Sequence, residues 1–583
     1  MNARWPTALA AAVLAALVVA LFLPTLEQGW APLDDELNFT TNPHYRGLAP
    51  ENLRWMATTR LAGHYIPLSW LTLAIDYELS GMDPRGYHRT NVLLHLANAL
   101  LFFFLARRLL ARSEPGVVVS FASSLLRAPS AVVADLAAFG AAALFALHPL
   151  RVESVAWITE RRDLLCGLFV LFACHAYVTA AGTTGRRRGI AFAVALLAFL
   201  AALLSKGLAI ALPVALVALD LGPLRRLDPH PREWLKGGSR AVWREKVPFV
   251  LLAAIFAGVT FWAIAPVMAG RSDAGFEHRT LSAGFGLWFY LEKTFLPWAI
   301  PFQLPATHPL TIHTDPGLAV RGFAFLALVA VAVALRRRLP ALGLALAVYA
   351  AFVLPVSGLF QAGPQLAAHR YSYLAGLPLA LLFGAGLAAW ARRLSWRGFA
   401  AISVLVFATV VALGGVARAQ VSLWRDDVTF STAAVRASPD AWAPVAALAR
   451  AHLFRGDETA ALRVLRAGRE RLPGALFLTY LEAVVRATSP RSDLRDGELA
   501  LQLARQAARA TSFQDPAALF ALAAASAENG DSNAAGRLLG EAEALVRAGR
   551  KPEFLPVLKE ARRRIAARGV VRLSAADWRR ILG

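Results

Sequence analysis

Cysteine is almost missing from this chain: there are two in 583 residues, Cys166 and Cys174. Both fall in one apolar block, about two helical turns apart, so neither a disulfide between them nor a cysteine-held metal is expected. Acidic residues are scarce as well, 39 against 61 Lys and Arg, for a formal charge of +22. Such a surplus fits nucleic-acid binders. Here, however, the basic residues stand in short clusters between hydrophobic blocks, which excludes nucleic acid as a partner. The chain has no zinc-ligand spacing, no phosphate-binding glycine loop and no Ser-His-Asp signature. A cytoplasmic nucleotide site and hydrolysis by an activated serine are therefore not indicated, and nothing assigns a divalent metal.

What the chain has in abundance is apolar length. Hydrophobic residues make up 57% and mean hydropathy is +0.49, outside the range of ordinary soluble domains. Blocks near the 20 or so residues that cross a bilayer recur from residue 7 to residue 417. They predict eleven spans, at 7–26, 89–106, 130–148, 157–180, 189–204, 207–221, 247–267, 319–335, 340–359, 371–390 and 399–417. The block 283–304 is also apolar, but it carries Glu292, Lys293 and prolines and reads as an interfacial or re-entrant helix. The first block, after Arg4, would also suit a cleaved signal peptide; with so many spans behind it, it is read as a span.

Positive charge orients the chain. Arg107, Arg108 and Arg112 form one cluster, Arg186, Arg187 and Arg188 a second, and seven residues from Arg225 to Lys246 a third. Arg336, Arg337 and Arg338 make a fourth, and Arg392, Arg393 and Arg397 a fifth. All five fall on one side, the cytoplasmic one, if 283–304 does not cross. The loops 27–88, 149–156, 268–318 and 360–370 then lie outside. High Ala and Arg usage suits a GC-rich bacterial genome, so the expected location is a bacterial inner membrane.

From about residue 421 the composition changes to Ala, Arg, Leu and Glu without a long apolar run. The expected fold class is all-α: a polytopic membrane domain, 1–420, followed by an α-solenoid, 421–583, on the outer side. Trp442 to Pro473 fits a 34-residue tetratricopeptide unit. Leu448-Ala449 fills the early pair, Gly456-Asp457 the turn, and Ala461, Leu465 and Pro473 follow in register. A second unit runs from Pro516 through Gly530-Asp531 to Ala542. The bland alternative is an amphipathic bundle with chance spacing.

Ionisable residues at a helix centre cost about 2.5–3.5 kcal/mol each on insertion scales and tend to be kept for a function. Here they gather at the outer ends of helices. Asp34, Asp35 and Glu36 follow the first span; adjacent carboxylates repel, so one can serve as a base. A solvated acidic loop is the plainer reading of the triplet alone. The long loop behind it contains Trp55, His64, Trp70 and Tyr77 and predicts two short amphipathic interfacial helices. His88, Asn91, His95 and Asn98 share one face of the second span, which points to a polar cavity, although helix packing explains one or two of them. His148, Glu153, Glu160, Arg161, Arg162 and Asp163 crowd the start of the fourth span. Lys206 either snorkels or binds an anion such as a lipid phosphate. The last outer loop offers Gln361, Gln365, His369, Arg370, Tyr371 and Tyr373. With no cytoplasmic nucleotide site, a sugar donor used on the outer face would have to be lipid-borne.

The strings LDDELNFTTNPHYRGL, GHYIPLSWLTLAIDYELSGMDPRGYHRTNVLLHLANALL, ALHPLRVESVAWITERRDLL and LLSKGLAIALPVALVALDLGPL resemble the transmembrane-and-tetratricopeptide O-mannosyltransferases of the GT-C superfamily. PVSGLFQAGPQLAAHRYSYL and WRDDVTF look similar too, in the same order along nearly the whole chain. The resemblance implies a GT-C membrane fold and transfer of a sugar, mannose in the eukaryotic members, from a polyprenyl-phosphate donor to a Ser or Thr hydroxyl of an exported protein. It places the acidic residue of the first outer loop at Asp34 and Asp35. Arg161, Arg162 and Lys206 would then steady the leaving phosphate. His64, His88, Asn91, His95, His148, Glu153, Asp163, His369, Arg370 and Tyr371 would line the pocket, and the repeats would present the acceptor. One departure stands out: the family string reads Ala-Asp-Arg-Tyr, and this chain has His369 at the acidic position. Competing readings are transfer to a lipid or glycan, a polysaccharide polymerase or ligase, and a non-enzymatic membrane scaffold.

Overall fold

The computed structural model describes residues 4–112, 130–228, 230–234, 236–268, 275–297, 304–305, 316–359, 365–549 and 554–582. It divides the chain into two compact units, Met1–Arg425 and Asp426–Gly583. Both are helical; the described strands are a two-residue and a three-residue segment, Leu304–Pro305 and Gln365–Ala367, paired antiparallel.

The first unit is a multi-pass membrane bundle. Its helices are α1 (Arg4–Phe22), α2 (Pro50–Thr58), α3 (Pro67–Ser80), α4 (Pro84–Arg112), α5 (Ser130–Ala146), the single turn α6 (Val152–Ala156), α7 (Arg161–Ala181) and α8 (Gly185–Ser205). There follow α9 (Leu212–Leu221), α10 (Ser239–Met268), α11 (Phe276–Phe295), α12 (Pro316–Ala334), α13 (Pro340–Val353), α14 (Ser372–Ala391) and α15 (Trp396–Ser422). Among the described residues eight helices are long and apolar enough to cross a bilayer, and α5 with Pro149–Ala156, bent by 55°, makes a ninth if the bent pair is one span rather than a re-entrant loop. The segments at 207–221 and 340–359 form the shorter apolar helices Gly207–Leu221 and Pro340–Val356. Helix α11 is not among the crossing helices; of the expected interfacial block 283–304, residues 298–303 lie outside the described residues.

Polar residues tie the bundle together at several depths. Asp135 of α5 accepts the Thr7 hydroxyl of α1 at 3.0 Å and the Arg107 guanidinium of α4. Glycine allows one close approach: a side-chain carbon on Gly167 of α7 would lie 2.8 Å from the Tyr373 ring of α14. At the far end of α7 the Tyr177 hydroxyl donates to buried Asp220 at 2.6 Å, and Lys246 bonds both. Arg226 reaches Asp220 at 3.3 Å and Glu245 at 2.6 Å. Two residues of the basic cluster between 225 and 246 are therefore structural ties.

The second unit opens with α16 (Asp427–Ala437). It continues as successive helix pairs: α17 (Trp442–Phe454) with α18 (Glu458–Arg471), α19 (Leu476–Thr488) with α20 (Gly497–Ala510), and α21 (Pro516–Glu528) with α22 (Ser532–Arg547). Then come α23 (Leu555–Arg568) and α24 (Ala575–Leu582). Asp457, Asp496, Asp515 and Asp531 cap the N-termini of α18, α20, α21 and α22 by accepting backbone N–H groups, as short acidic side chains do at such positions. Leu448, Ala449, Ala461 and Leu465 are buried.

Candidate active site

The two neighbouring aspartates after α1 meet different surroundings. Asp35 is fully buried. One oxygen accepts the Ala31 N–H at 2.8 Å; the other accepts the Thr159 N–H at 3.2 Å and the Thr159 hydroxyl at 2.6 Å. Burial pushes its carboxyl up to about 7, although these three donors pull the other way. Asp34 is exposed, and its carboxylate has no hydrogen bond or ion pair among the described residues. It lines a small cleft together with Asn38, His64, Thr159 and Arg162. The protein packed around the His64 ring, which still keeps a solvent-exposed edge, and then the Arg162 and Lys206 cations hold its imidazole below the usual value, so it is neutral at pH 7.

The break between α6 and α7 sets the next group. Trp157 is extended, with φ −94° and ψ 117°, so the helical register restarts, and a short 3-10 turn, Ile158–Glu160, precedes Arg161. Thr159 turns to Asp35, while Glu160 turns into a cluster of cations. Its carboxylate meets Arg162 at 2.6 Å, Lys206 at 3.1 Å and Arg370 at 3.3 Å. Lys206 also holds Asp163 at 2.6 Å, and Arg370 holds Glu153 at 2.5 Å. Three cations from three separate segments thus interleave with three carboxylates. Replacing any carboxylate by a ligand phosphate would keep the cations satisfied, because guanidinium and ammonium groups bind both anions by the same charge-assisted bonds.

Arg161 departs from its neighbour. It is fully buried and bonds Asp76 of α3 at 2.7 Å, the Tyr87 carbonyl at 2.8 Å and the Asn91 side chain. It clamps the loop after α1 to α4 and stands apart from the cluster of Arg162. The polar face of α4 is engaged in packing contacts. His88 bonds the Gly29 carbonyl at 3.2 Å, and Asn91 donates to the Val155 carbonyl at 3.2 Å. His95 bonds the Tyr373 hydroxyl at 2.9 Å and the Ala146 carbonyl at 3.0 Å, and Asn98 donates to the Leu164 carbonyl at 2.9 Å. All four are buried and hold helices together, the membrane use of such side chains in packing. His148 caps the turn at Pro149 and bonds the Thr294 carbonyl at 3.2 Å. His369 and Tyr371 are buried beside Arg370, whose guanidinium lies 4.9 Å from the Tyr371 ring. Gln361 lies outside the described residues. Among the described residues no group of three or more His, Cys, Asp or Glu side chains is arranged to hold a metal ion.

Sequence reasoning missed Thr159, which had no neighbour to mark it, and Asp76 as the partner of Arg161. It placed Glu160 in the crowd at the start of the fourth span but not at the centre of the cations.

The raised carboxyl of Asp35 has a measurable consequence. Between its ordinary value of 3.8 and about 7 the folded state keeps a proton that the unfolded state releases. Stability contributed by this group is therefore present at low pH, falls as pH rises through that window and levels off above it, a total on the order of 4 kcal/mol at most. The unfolding temperature in detergent is expected to fall from pH 5 to 7.5, and the Asp35→Asn variant to show a flatter profile. An identical slope in the variant would remove Asp35 as its source.

No protein-family model matches the chain. Protein O-mannosyl-transferase Tmtc3 of Drosophila melanogaster is 36% identical over 124 residues, 21% of this chain and 13% of that protein. This chain is similar to protein O-mannosyl-transferases. TMTC4 of Mus musculus is 34% identical over 126 residues, 21% of this chain and 16% of the relative. TMTC2 of Homo sapiens is 30% identical over 184 residues, 30% of this chain and 19% of the relative. The chain thus spans less than a fifth of the length of these curated relatives. Among solved structures, ArnT from Cupriavidus metallidurans bound to undecaprenyl phosphate matches at 15% identity, over 85% of this chain and 84% of that one, with a TM-score of 0.32.

Proposed function

We propose that this protein is a membrane glycosyltransferase that moves a sugar, mannose, from a polyprenyl-phosphate donor to a Ser or Thr hydroxyl of an exported protein. The observation that carries the reading is Asp34: an unpaired carboxylate in a cleft, one wall of which is Arg162 and the ion cluster behind it. A general base needs a free lone pair within reach of the acceptor proton, and Asp34 has one where Asp35 does not. Asp34 takes the proton from the acceptor hydroxyl as that oxygen bonds to the anomeric carbon. The bond from that carbon to the phosphate oxygen breaks, and the electron pair leaves with the phosphate. One displacement inverts the anomeric centre. Arg162, Lys206 and Arg370 offset the charge gathering on the leaving phosphate, as preorganised cations do, by exchanging contacts with Glu160 for contacts with it.

In this reading the cleft faces the outer side of a bacterial inner membrane, opposite the five basic clusters, and the helix pairs of the second unit are tetratricopeptide-like repeats that bring the acceptor protein. The amphipathic α2 and α3 lie in the interface and hold the lipid chain. The test is transfer of radiolabel from polyprenyl-phosphate-mannose in membranes that contain the protein. Label in the protein fraction supports the full reading. Label in lipid or glycan keeps the transferase but replaces the acceptor, and absence of label with several polyprenyl-phosphate sugars would leave the scaffold reading.

A further inference from the structure

The last described residues of the second unit return across it. Helix α23 ends at Gly569, whose φ of +72° is the left-handed stop that glycine adopts without strain. Residues 570–574 are neither helix nor strand, and α24 then packs against α17. On the way the segment meets three successive pairs in reverse order. Arg572 donates to the Glu528 carboxylate at the end of α21 at 2.6 Å and to the Ala487 carbonyl near the end of α19 at 3.2 Å. The Leu573 N–H donates to the Thr488 carbonyl at 2.9 Å. Arg579 donates to the Phe454 carbonyl, the end of α17, at 2.9 Å. Val571, Leu573 and Trp578 are buried.

The partners on the other side share one character. They are carbonyls in the last turns of α17 and α19, which lack in-helix donors and carry the negative end of the helix dipole, joined by Glu528 of α21. Helices α17, α19 and α21 pack in a row, so these ends form an electronegative ledge. The segment answers it with two guanidinium groups and a main-chain N–H, separated by apolar side chains. Little in these contacts is specific to a tethered chain. The carbonyls can be hydrated when uncovered, and Glu528 keeps its bond from Arg495 at 3.0 Å. Internal ties shape the segment itself: Arg564 holds Asp577 at 2.6 Å, and Ser574 and Asp577 cap α24 reciprocally.

We propose that residues 569–582 are a displaceable strap, and that the ledge beneath them is a docking surface for an arginine-bearing peptide of the same form, extended at its first arginine, helical at its second and with apolar residues between them. Stacked helix pairs present extended surfaces of this kind to partners; here a segment of the same chain occupies the surface and competes with a second chain of the same chemistry. The inference does not depend on the transferase reading.

The test uses the full-length protein in detergent and a fluorescent peptide of residues 569–582 added in trans. In an Arg572→Ala/Arg579→Ala variant, where the resident strap is weakened, the peptide is expected to bind at least about ten-fold more tightly than to the unaltered protein. Adding Glu528→Ala should reverse that gain. A double variant of normal helicity that binds the peptide no better than the unaltered protein would make the segment a fixed cap and overturn the proposal. Hydrogen exchange on the unaltered protein decides the case if the variant does not fold. An opening strap exposes the Leu573 amide about a hundred-fold faster or more than the amides of residues 480–485 in α19, because sub-global openings release weakly anchored segments first. Equal protection would overturn it.

Discussion

Replacing Asp34 by Asn is expected to lower the rate of sugar transfer about 10²- to 10⁴-fold, the usual worth of a positioned general base, with the unfolding temperature unchanged. The side chain is exposed and bonds nothing among the described residues, and substitutions of that kind shift stability by about 0.5 kcal/mol or less. Asp35→Asn should behave in the opposite sense. Its carboxylate accepts three hydrogen bonds in a buried site, and an amide can accept at one end only while setting its own donors against the Ala31 or Thr159 N–H. The variant should therefore lose stability, and activity should fall through the misplaced loop. Initial rates with each single variant, alongside thermal unfolding in detergent, separate the two roles. Full activity in Asp34→Asn would sink the base assignment and move it to Asp35.

Arg161 and Arg162 provide a second contrast between neighbours. Arg161→Met should destabilise the protein by about 3–5 kcal/mol, because it leaves the buried Asp76 carboxylate without its cation. The remaining Thr90 hydroxyl, at 2.7 Å from Asp76, is a weak substitute. The pair Arg161→Met/Asp76→Leu should regain much of the loss, since removing both charges of a buried pair costs less than removing one. Arg162→Met should unfold near the normal temperature, because Glu160 keeps Lys206 and Arg370. Its effect should appear in transfer, as a loss of about 10- to 100-fold, the worth of a charge-assisted bond to a phosphate. Thermal unfolding and transfer rates of the three variants check this. If Arg162→Met proved the unstable one and Arg161→Met folded but failed in transfer, the anion-binding role would pass to Arg161.

These contrasts mark where sequence reasoning stops. The crossing segments are readable because a bilayer demands a long apolar run whatever its neighbours are. The apolar helices Gly207–Leu221 and Pro340–Val356 were readable in the same way, the first with the bounds 207–221 that the sequence predicts. The clustering of polar residues at helix ends was equally readable, because burying charge near a membrane is costly and chance does not concentrate it. Periodicity also put His88, Asn91, His95 and Asn98 on one face of α4. It did not say what opposes that face, and the opposing surface consists of carbonyls and the Tyr373 hydroxyl.

Composition and pattern were enough for a helical membrane bundle, a change of character near residue 421 and an acidic, basic and aromatic first loop, because each of these depends on what a residue is and how often it recurs. The partner of each charge is a different matter. Asp34 and Asp35 are chemically identical neighbours, as are Arg161 and Arg162, and no local rule tells them apart. Their roles follow from the break at Trp157, which restarts the helix and turns Thr159 toward one aspartate, and from segments as distant in the chain as Asp76, Lys206 and Arg370. Electrostatic pairing depends on distance in space, and that distance exists only once those segments have been packed against one another.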